Sequence, residues 1–329
     1  MKILFAGTPK PAAIVLEHLL ADPRLEVLGV ITQPDARRGR GRSLHPSPVA
    51  EVAEDAGLKV HKWASLGASA EDASDVRDTL AAYREAGATA VAVVAYGNLI
   101  PADLLDAVEH GWVNLHYSLL PRWRGAAPVQ AAIAAGDEET GATIFRIEQG
   151  LDTGPMLAKK AYEIGIRDTA EDVLIELTGS GKSLLADTLV ALGEGTASPQ
   201  PQPEEGATHA PKIHPADARI DFSTPAKVIQ RRARAHTPAP GAWCTLDGQR
   251  YKFGLLLPVP EGEECPELAP GQLWADKTRV LVGTGDDPLL VESIQPPGKK
   301  MMRAADWARG QQELLAQSPR FDIEEDTAK

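Results

Sequence analysis

Short apolar runs alternate with amphipathic stretches over the first half of the chain, in a pattern of buried strands and covering helices. Residues 2–6 predict a buried strand, Gly7-Thr8-Pro9 a turn, and residues 11–20 a helix. A second run at 25–32 completes a βαβ start, which favours a Rossmann-like, doubly wound and mostly parallel sheet, an α/β fold. Ser47 is placed to cap a helix over 48–56. A short strand at 58–61, a helix at 74–86 and the valine-rich central strand at 88–95 follow, then a short helix at 104–108. Residues 111–113 predict another buried strand. A polar turn from Ser118 to Arg124 then leads through Gly125 into a helix over 126–135, with Pro128 in its first turn. Strands at 141–147 and 156–164 and a long amphipathic helix over 169–192 complete the series.

Beyond residue 192 the pattern changes. Residues 193–211 are rich in Pro, Gly, Glu and Ser, and Pro199-Gln200-Pro201-Gln202-Pro203 predicts an extended, semi-rigid linker. After a helix at 225–235 carrying Arg231, Arg232 and Arg234, short alternating segments at 242–246, 251–256, 271–274, 280–283 and 289–294 predict a smaller β-barrel. Residues 302–315 finish as helix or coil. A length of 329 residues suits two domains, expected at 1–192 and 212–329 with the linker at 193–211. A formal net charge of -12 argues against general nucleic-acid coating, so any such partner must meet a local basic patch. Cys244 and Cys265 form no close motif, which leaves neither a disulfide framework nor a zinc site, and no metal cluster is visible. No leader pattern and no apolar run of about 18 residues is present, so the expectation is a cytoplasmic protein with no membrane partner, and a monomer.

Chemistry concentrates in the stretch from Val113 to Pro128. Asn114 and His116 stand two apart at the end of a strand, so both side chains point the same way, at the sheet edge where open α/β folds bind ligands. Asp152 lies in a tight loop between Gly150 and Gly154. Each residue alone is more often structural. Together they supply an oxyanion donor in Asn114, a proton carrier in His116, and a carboxylate to orient the imidazole and raise its pKa. A G-x-S-x-G elbow is missing, so direct transfer to an incoming nucleophile fits better than an acyl-enzyme. Gly7-Thr8-Pro9 lacks the further glycines of a dinucleotide fingerprint. Residues 33–44 hold Arg37, Arg38, Arg40 and Arg42 among glycines, a mobile basic loop that is either a solvated surface or a contact that follows phosphates.

Asn114-Leu115-His116 with Ser118-Leu119-Leu120-Pro121, followed by Glu148 through Asp152-Thr153-Gly154, resembles the signature of the folate-dependent formyltransferases that use 10-formyltetrahydrofolate. The likeness extends to Ala6-Gly7-Thr8-Pro9, Thr32-Gln33-Pro34-Asp35, Gly39-Arg40-Gly41, Pro46-Ser47-Pro48-Val49 and Pro121 through Pro128. It implies formyl transfer from 10-formyltetrahydrofolate, through a tetrahedral oxyanion, to the α-amino group of methionine carried on initiator tRNA. Asn114, His116 and Asp152 would be catalytic. Ser118, Leu119, Leu120 and Pro121 would line the folate site, with the backbone of residues 94–97 completing it. Arg40 and Arg42 would meet the tRNA, and the second domain would be OB-like and help to hold it. Tyr117 departs from the small residue or proline expected at its position. The alternatives are a formyltransferase or formylfolate hydrolase of the same superfamily acting on a small molecule, such as an amino sugar, and a noncatalytic RNA-binding protein.

Overall fold

The computed structural model describes residues 1–38 and 43–323. In chain order its elements begin β1 (Lys2–Gly7), α1 (Lys10–Ala21), β2 (Glu26–Thr32), β3 (Ala36–Arg38), β4 (Ser43–His45), α2 (Pro48–Asp55), β5 (Val60–Lys62), α3 (Ala73–Glu85) and β6 (Ala90–Val94). Then come β7 (Trp112–His116), β8 (Arg124–Gly125), α4 (Pro128–Ala135), β9 (Glu139–Arg146), β10 (Met156–Glu163), α5 (Ala170–Gly193) and β11 (His209–Ala210). The chain divides into two compact units. The first is Met1–Pro128, Glu139–Tyr162 and Leu174–Ala210; the second is Val129–Glu138, Glu163–Val173 and Pro211–Lys329.

A seven-stranded sheet in the order β10-β9-β7-β6-β1-β2-β5 forms the first unit's centre. The strands β7, β6, β1, β2 and β5 are parallel, and β9 pairs antiparallel to β7, so the sheet is mixed. The parallel strands need apolar residues on both faces, and every residue of β6 is buried. One layer of core gathers Leu4, Ile31, Val91, Val93, Leu80 and the fully buried Trp112, whose indole N–H donates to the Leu104 carbonyl at 2.7 Å. Ser47 caps α2 as its sequence position predicts, its Oγ accepting from the Ala50 N–H at 3.0 Å. The flanks of the basic loop, expected to be unstructured, pair as two short antiparallel strands, β3 and β4. Residues 39–42, with Arg40 and Arg42, lie outside the described residues.

Tyr117, anomalous in the sequence, is accounted for here. Its side chain is buried, and its hydroxyl lies 3.2 Å from Thr178 Oγ1 on α5. The single Thr178 proton goes to the Leu174 carbonyl at 2.6 Å, so the Tyr117 O–H is the donor to Thr178. Burial pushes the phenol up to about 12. Gly181 makes the close approach of α5 to β7 possible, since a Cβ there would sit 2.8 Å from Leu115 Cδ1.

The Pro-rich stretch read as a linker is tied to the first unit along its length. Gln200 and Met156 exchange backbone hydrogen bonds of 2.7 and 2.8 Å, and β11 pairs in parallel with β8.

In the second unit, α6 (Ala226–Ala235) precedes β12 (Ala242–Leu246), β13 (Gln249–Phe253), β14 (Leu256–Pro258), β15 (Leu273–Ala275), β16 (Val280–Val282), β17 (Leu289–Val291), β18 (Ser293–Gln295) and β19 (Met302–Arg303). Helices α7 (Ala304–Arg309) and α8 (Gln312–Leu315) end the series. The expected barrel is not found as a closed ring among the described residues. The strands instead form two four-stranded sheets, β12-β13-β18-β19 and β14-β17-β16-β15. Two expected single strands, 251–256 and 289–294, each break and pass from one sheet to the other, as strands do at the corners of packed sheets. Gly254 permits one corner, because a Cβ there would lie 2.1 Å from Ser293 Oγ. A shared core of Phe222, Phe253 and Phe321 fills the unit.

Candidate active site

Strand β7 delivers Asn114 and His116 to the carboxyl edge of the sheet on one face, in unbroken register with Val93 on one side and with Phe145 and Thr143 on the other. Asn114 is half-buried. His116 is only 5% exposed, its ring packed edge-on against Phe145.

Two groups address the imidazole. Its Nε2 lies 2.9 Å from the Trp123 carbonyl oxygen, and a carbonyl can only accept, so Nε2 carries a proton and donates it there. Its Nδ1 is 3.7 Å from Asp152 Oδ2. That spacing is an ion-pair distance, longer than a hydrogen bond. Asp152 Oδ2 instead accepts the Gly125 N–H at 2.7 Å. The tautomer is therefore set by Trp123 and not by the carboxylate. Burial pulls the His116 pKa below its ordinary value, and the Asp152 charge pushes it back only in part. The upward push expected of the carboxylate is present, but it is outweighed. Desolvation is the larger effect, and it leaves a neutral ring whose Nδ1 lone pair is the free basic position.

Local backbone explains how these groups converge. Trp123 at φ 65° and Asp152 at φ 52° both occupy the left-handed region, and such positions persist where surrounding contacts over-determine them. Gly125, at φ 118°, must be glycine, for a Cβ would meet the Ala210 carbonyl oxygen at 2.5 Å. The connection from His116 to Trp123 is clamped by Thr143. Its hydroxyl donates to the Ser118 carbonyl at 2.6 Å and accepts the Leu120 N–H at 3.2 Å. Ser118 Oγ donates to the Arg122 carbonyl at 2.6 Å. Of the four residues expected to line the folate site, Ser118 and Leu120 are thus buried and occupied with the turn, while Leu119 and Pro121 remain partly open. Leu119 lies over Gly141, where a Cβ would come within 2.5 Å of it.

The neighbouring edge is the loop after β6. Ala95 at φ 44° and Gly97 at φ 90° turn it, Thr8 Oγ1 donates to the Tyr96 carbonyl at 2.9 Å, and Leu99 stands 85% exposed.

The structure brings Asn114, His116 and Asp152 to one edge. Trp123, Gly125, Thr143 and two residues of the Pro-rich stretch, Gln202 and Thr208, were missed by sequence reasoning. Gln202 Nε2 donates to the carbonyls of Asp152 and Gly154, both at 2.8 Å, and Thr208 Oγ1 accepts the Trp123 N–H at 2.9 Å. A glycine directly after Arg124, closing a polar turn, was the available signal for Gly125; for Gln202 and Thr208 there was none.

Family models described as formyl transferase and as formyl transferase, C-terminal domain, match residues 1–189 and 212–312. The chain is 93% identical over 329 residues to the methionyl-tRNA formyltransferase of Corynebacterium urealyticum, covering all of both chains. Its identity to the enzyme of the same name from Corynebacterium jeikeium is 65% over 325 residues, 99% of each chain. An N-formyltransferase from Helicobacter canadensis, solved with folinic acid and dTDP-3-aminofucose, superposes with a TM-score of 0.65 at 16% identity, covering 88% of this chain and 98% of that one. At that identity the likeness speaks to the fold. With both domain models matched in order and full-length identity far above the level of chance, the chain belongs to the formyl transferase family.

Proposed function

We propose that the chain transfers the formyl group of 10-formyltetrahydrofolate to the α-amino group of methionine on initiator tRNA, giving N-formylmethionyl-tRNA for translation initiation. Full-length identity to a corynebacterial enzyme of that name is the observation that carries the reading. The geometry fits the chemistry. The donor's ring needs apolar walls beside backbone donors and acceptors, and Leu99, Leu119 and Pro121 with the turned loop at 95–97 offer both. Folate supplies the activated one-carbon unit when bound.

This chain's residues then do the following. Asn114 donates to the negative charge that develops on the formyl oxygen as the amine adds, an interaction worth roughly a hundred- to a thousandfold in rate when one such donor is removed. An α-amino group has an ordinary pKa near 8, so a usable neutral fraction attacks at cellular pH. Its nitrogen becomes positive as the C–N bond forms. His116 Nδ1, the free basic position, takes that proton, and Asp152 stabilises the imidazolium so produced. His116 returns the proton to the departing folate nitrogen as the oxyanion collapses. Trp123 holds the ring in register throughout by accepting from Nε2.

Residues 1–192 carry this chemistry and 212–329 form the tRNA-contacting domain, OB-like in plan, with residues 193–211 between them. Arg40 and Arg42 follow the acceptor-stem phosphates. Ser118 through Pro121 border the folate. The enzyme works as a cytoplasmic monomer. Labelled 10-formyltetrahydrofolate supplied with initiator or elongator methionyl-tRNA tests the whole. Label should pass to the initiator species. Transfer only to a small amine, or release as formate, would replace the reading with a small-molecule transferase or a hydrolase.

A further inference from the structure

Gln202 lies 50 residues from Asp152 in the chain, and its carboxamide is fully used between that loop and Arg124. Both Nε2 protons go to backbone carbonyls, those of Asp152 and Gly154, at 2.8 Å. Oε1 accepts two N–H groups of Arg124, from Nη2 at 2.7 Å and from Nε at 3.2 Å. The amide orientation is unambiguous, since carbonyls can only accept and a guanidinium can only donate. Arg124 is followed by Gly125, whose N–H holds the Asp152 carboxylate. The two residues 124 and 125 therefore grip residue 152 at both ends: the side chain directly, the backbone through Gln202. The grip fixes Asp152 in the left-handed region, at φ 52°.

Thr208 does the parallel service for the other side of the imidazole. Its Oγ1 accepts the Trp123 N–H at 2.9 Å and its carbonyl accepts the Arg124 N–H at 2.9 Å, fixing the peptide whose carbonyl receives His116 Nε2–H. We infer that residues 200–210 form a positioning strap, in which Gln202 sets Asp152 and Thr208 sets Trp123 against the two nitrogens of His116. Both act through other residues, as positioning residues for the reaction proposed above, and the inference rests on that reading for its kinetic effects.

The test uses the full-length protein with Gln202→Ala, Gln202→Glu, Thr208→Val and Thr208→Ser, each checked by melting temperature. Gln202→Glu preserves shape and the contact to Arg124 but removes both N–H groups. Displacing a catalytic group by about 1 Å costs on the order of a hundredfold. The expected result is a loss in kcat of roughly ten- to a hundredfold for both Gln202 variants and for Thr208→Val, with KM for tRNA and for folate within about twofold. Thr208→Ser should restore the parent rate. Adding Gln202→Ala to Asp152→Ala should cost nothing further. The His116 ring titration, followed by NMR, should move to lower pH in Gln202→Ala, which adds no charge of its own, because the carboxylate retreats. A Gln202→Glu protein with the parent's kcat, a loss confined to KM, full additivity with Asp152→Ala, or an unmoved titration overturns the inference. A parent that formylates no tRNA sinks the functional reading instead, and the titration still decides the strap.

Discussion

Replacing Asp152 by asparagine removes one charge and almost no volume. The amide oxygen of the new side chain can still accept the Gly125 N–H, so the loop should keep its place, as Gln202 keeps its grip on the backbone. What changes is the field at His116. Unit charges 3.7 Å apart interact with about 4 kcal/mol at an effective dielectric of about 20. Since 1.36 kcal/mol is one pKa unit, that sets a ceiling of about three units on the support the carboxylate lends to the imidazolium. Burial already holds the His116 pKa below 6.5, so the substitution moves it further down, within that ceiling. The same lost support falls on the transition state in which His116 carries the amine's proton, so kcat should drop by roughly ten- to a thousandfold. Two measurements bear on this. The His116 ring carbon, titrated by NMR, should give a midpoint below 6.5 in the parent and lower in Asp152→Asn. The acid limb of kcat against pH should shift the same way. A parent midpoint above 6.5, or a midpoint that rises on removal of the carboxylate, would refute the assignment of Nδ1 as the free base facing Asp152.

Gly125→Ala should reduce kcat about a hundredfold by pushing the Asp152 anchor aside, and should lower unfolding free energy by about 1–3 kcal/mol, since its φ of 118° and the Ala210 carbonyl leave no room for a Cβ; unchanged kcat and stability would show that the backbone here is softer than it looks. His61, His116 and His236 are all buried with pKa values lowered by desolvation, so the unfolded chain binds their protons more readily. Their contribution to stability is full above about 6.5 and is lost as pH falls from there toward the folded values, at no more than about 4 kcal/mol per pH unit for three groups; calorimetric unfolding at about pH 7.5 and about pH 5.5 should reveal it, and equal melting temperatures would exclude it. Phe321→Ala should destabilise the second unit by about 3–5 kcal/mol, because the ring is 1% exposed and meets Phe222, Phe253 and Tyr251. Denaturant unfolding reads this directly, and a loss below about 1 kcal/mol would mean that the site collapses around the gap.

The parallel sheet was legible because β1, β2 and β6 are continuous apolar runs, and the pairing of Asn114 with His116 because a strand's period is two. Asp152 was legible from its bracketing glycines. The second unit's strands were legible in number only roughly. Residues 251–256 look like one strand, yet the chain bends at Gly254 and joins a different sheet, and nothing in a six-residue pattern encodes the partner. Proline content made 193–211 look like a spacer. Proline lacks an N–H, but Gln202 donates through its side-chain amide and Thr208 and Ala210 accept, from partners 48 to 85 residues away. The neutral state of His116 was hidden for the same reason, since desolvation depends on what the fold stacks around the ring.

The strap has a consequence for the order in which the enzyme becomes an enzyme. A ribosome delivers residue 152 well before residue 202. At typical synthesis rates of about 5–20 residues per second, the lag is about 3–10 s. During that interval the nascent chain already contains every chemical group of the site. The brace for the carboxylate and the brace for the ring's acceptor have still to be made. Competence is thus timed by the emergence of residues 200–210, and a chain that stalls before them would hold the right side chains without the means to aim them.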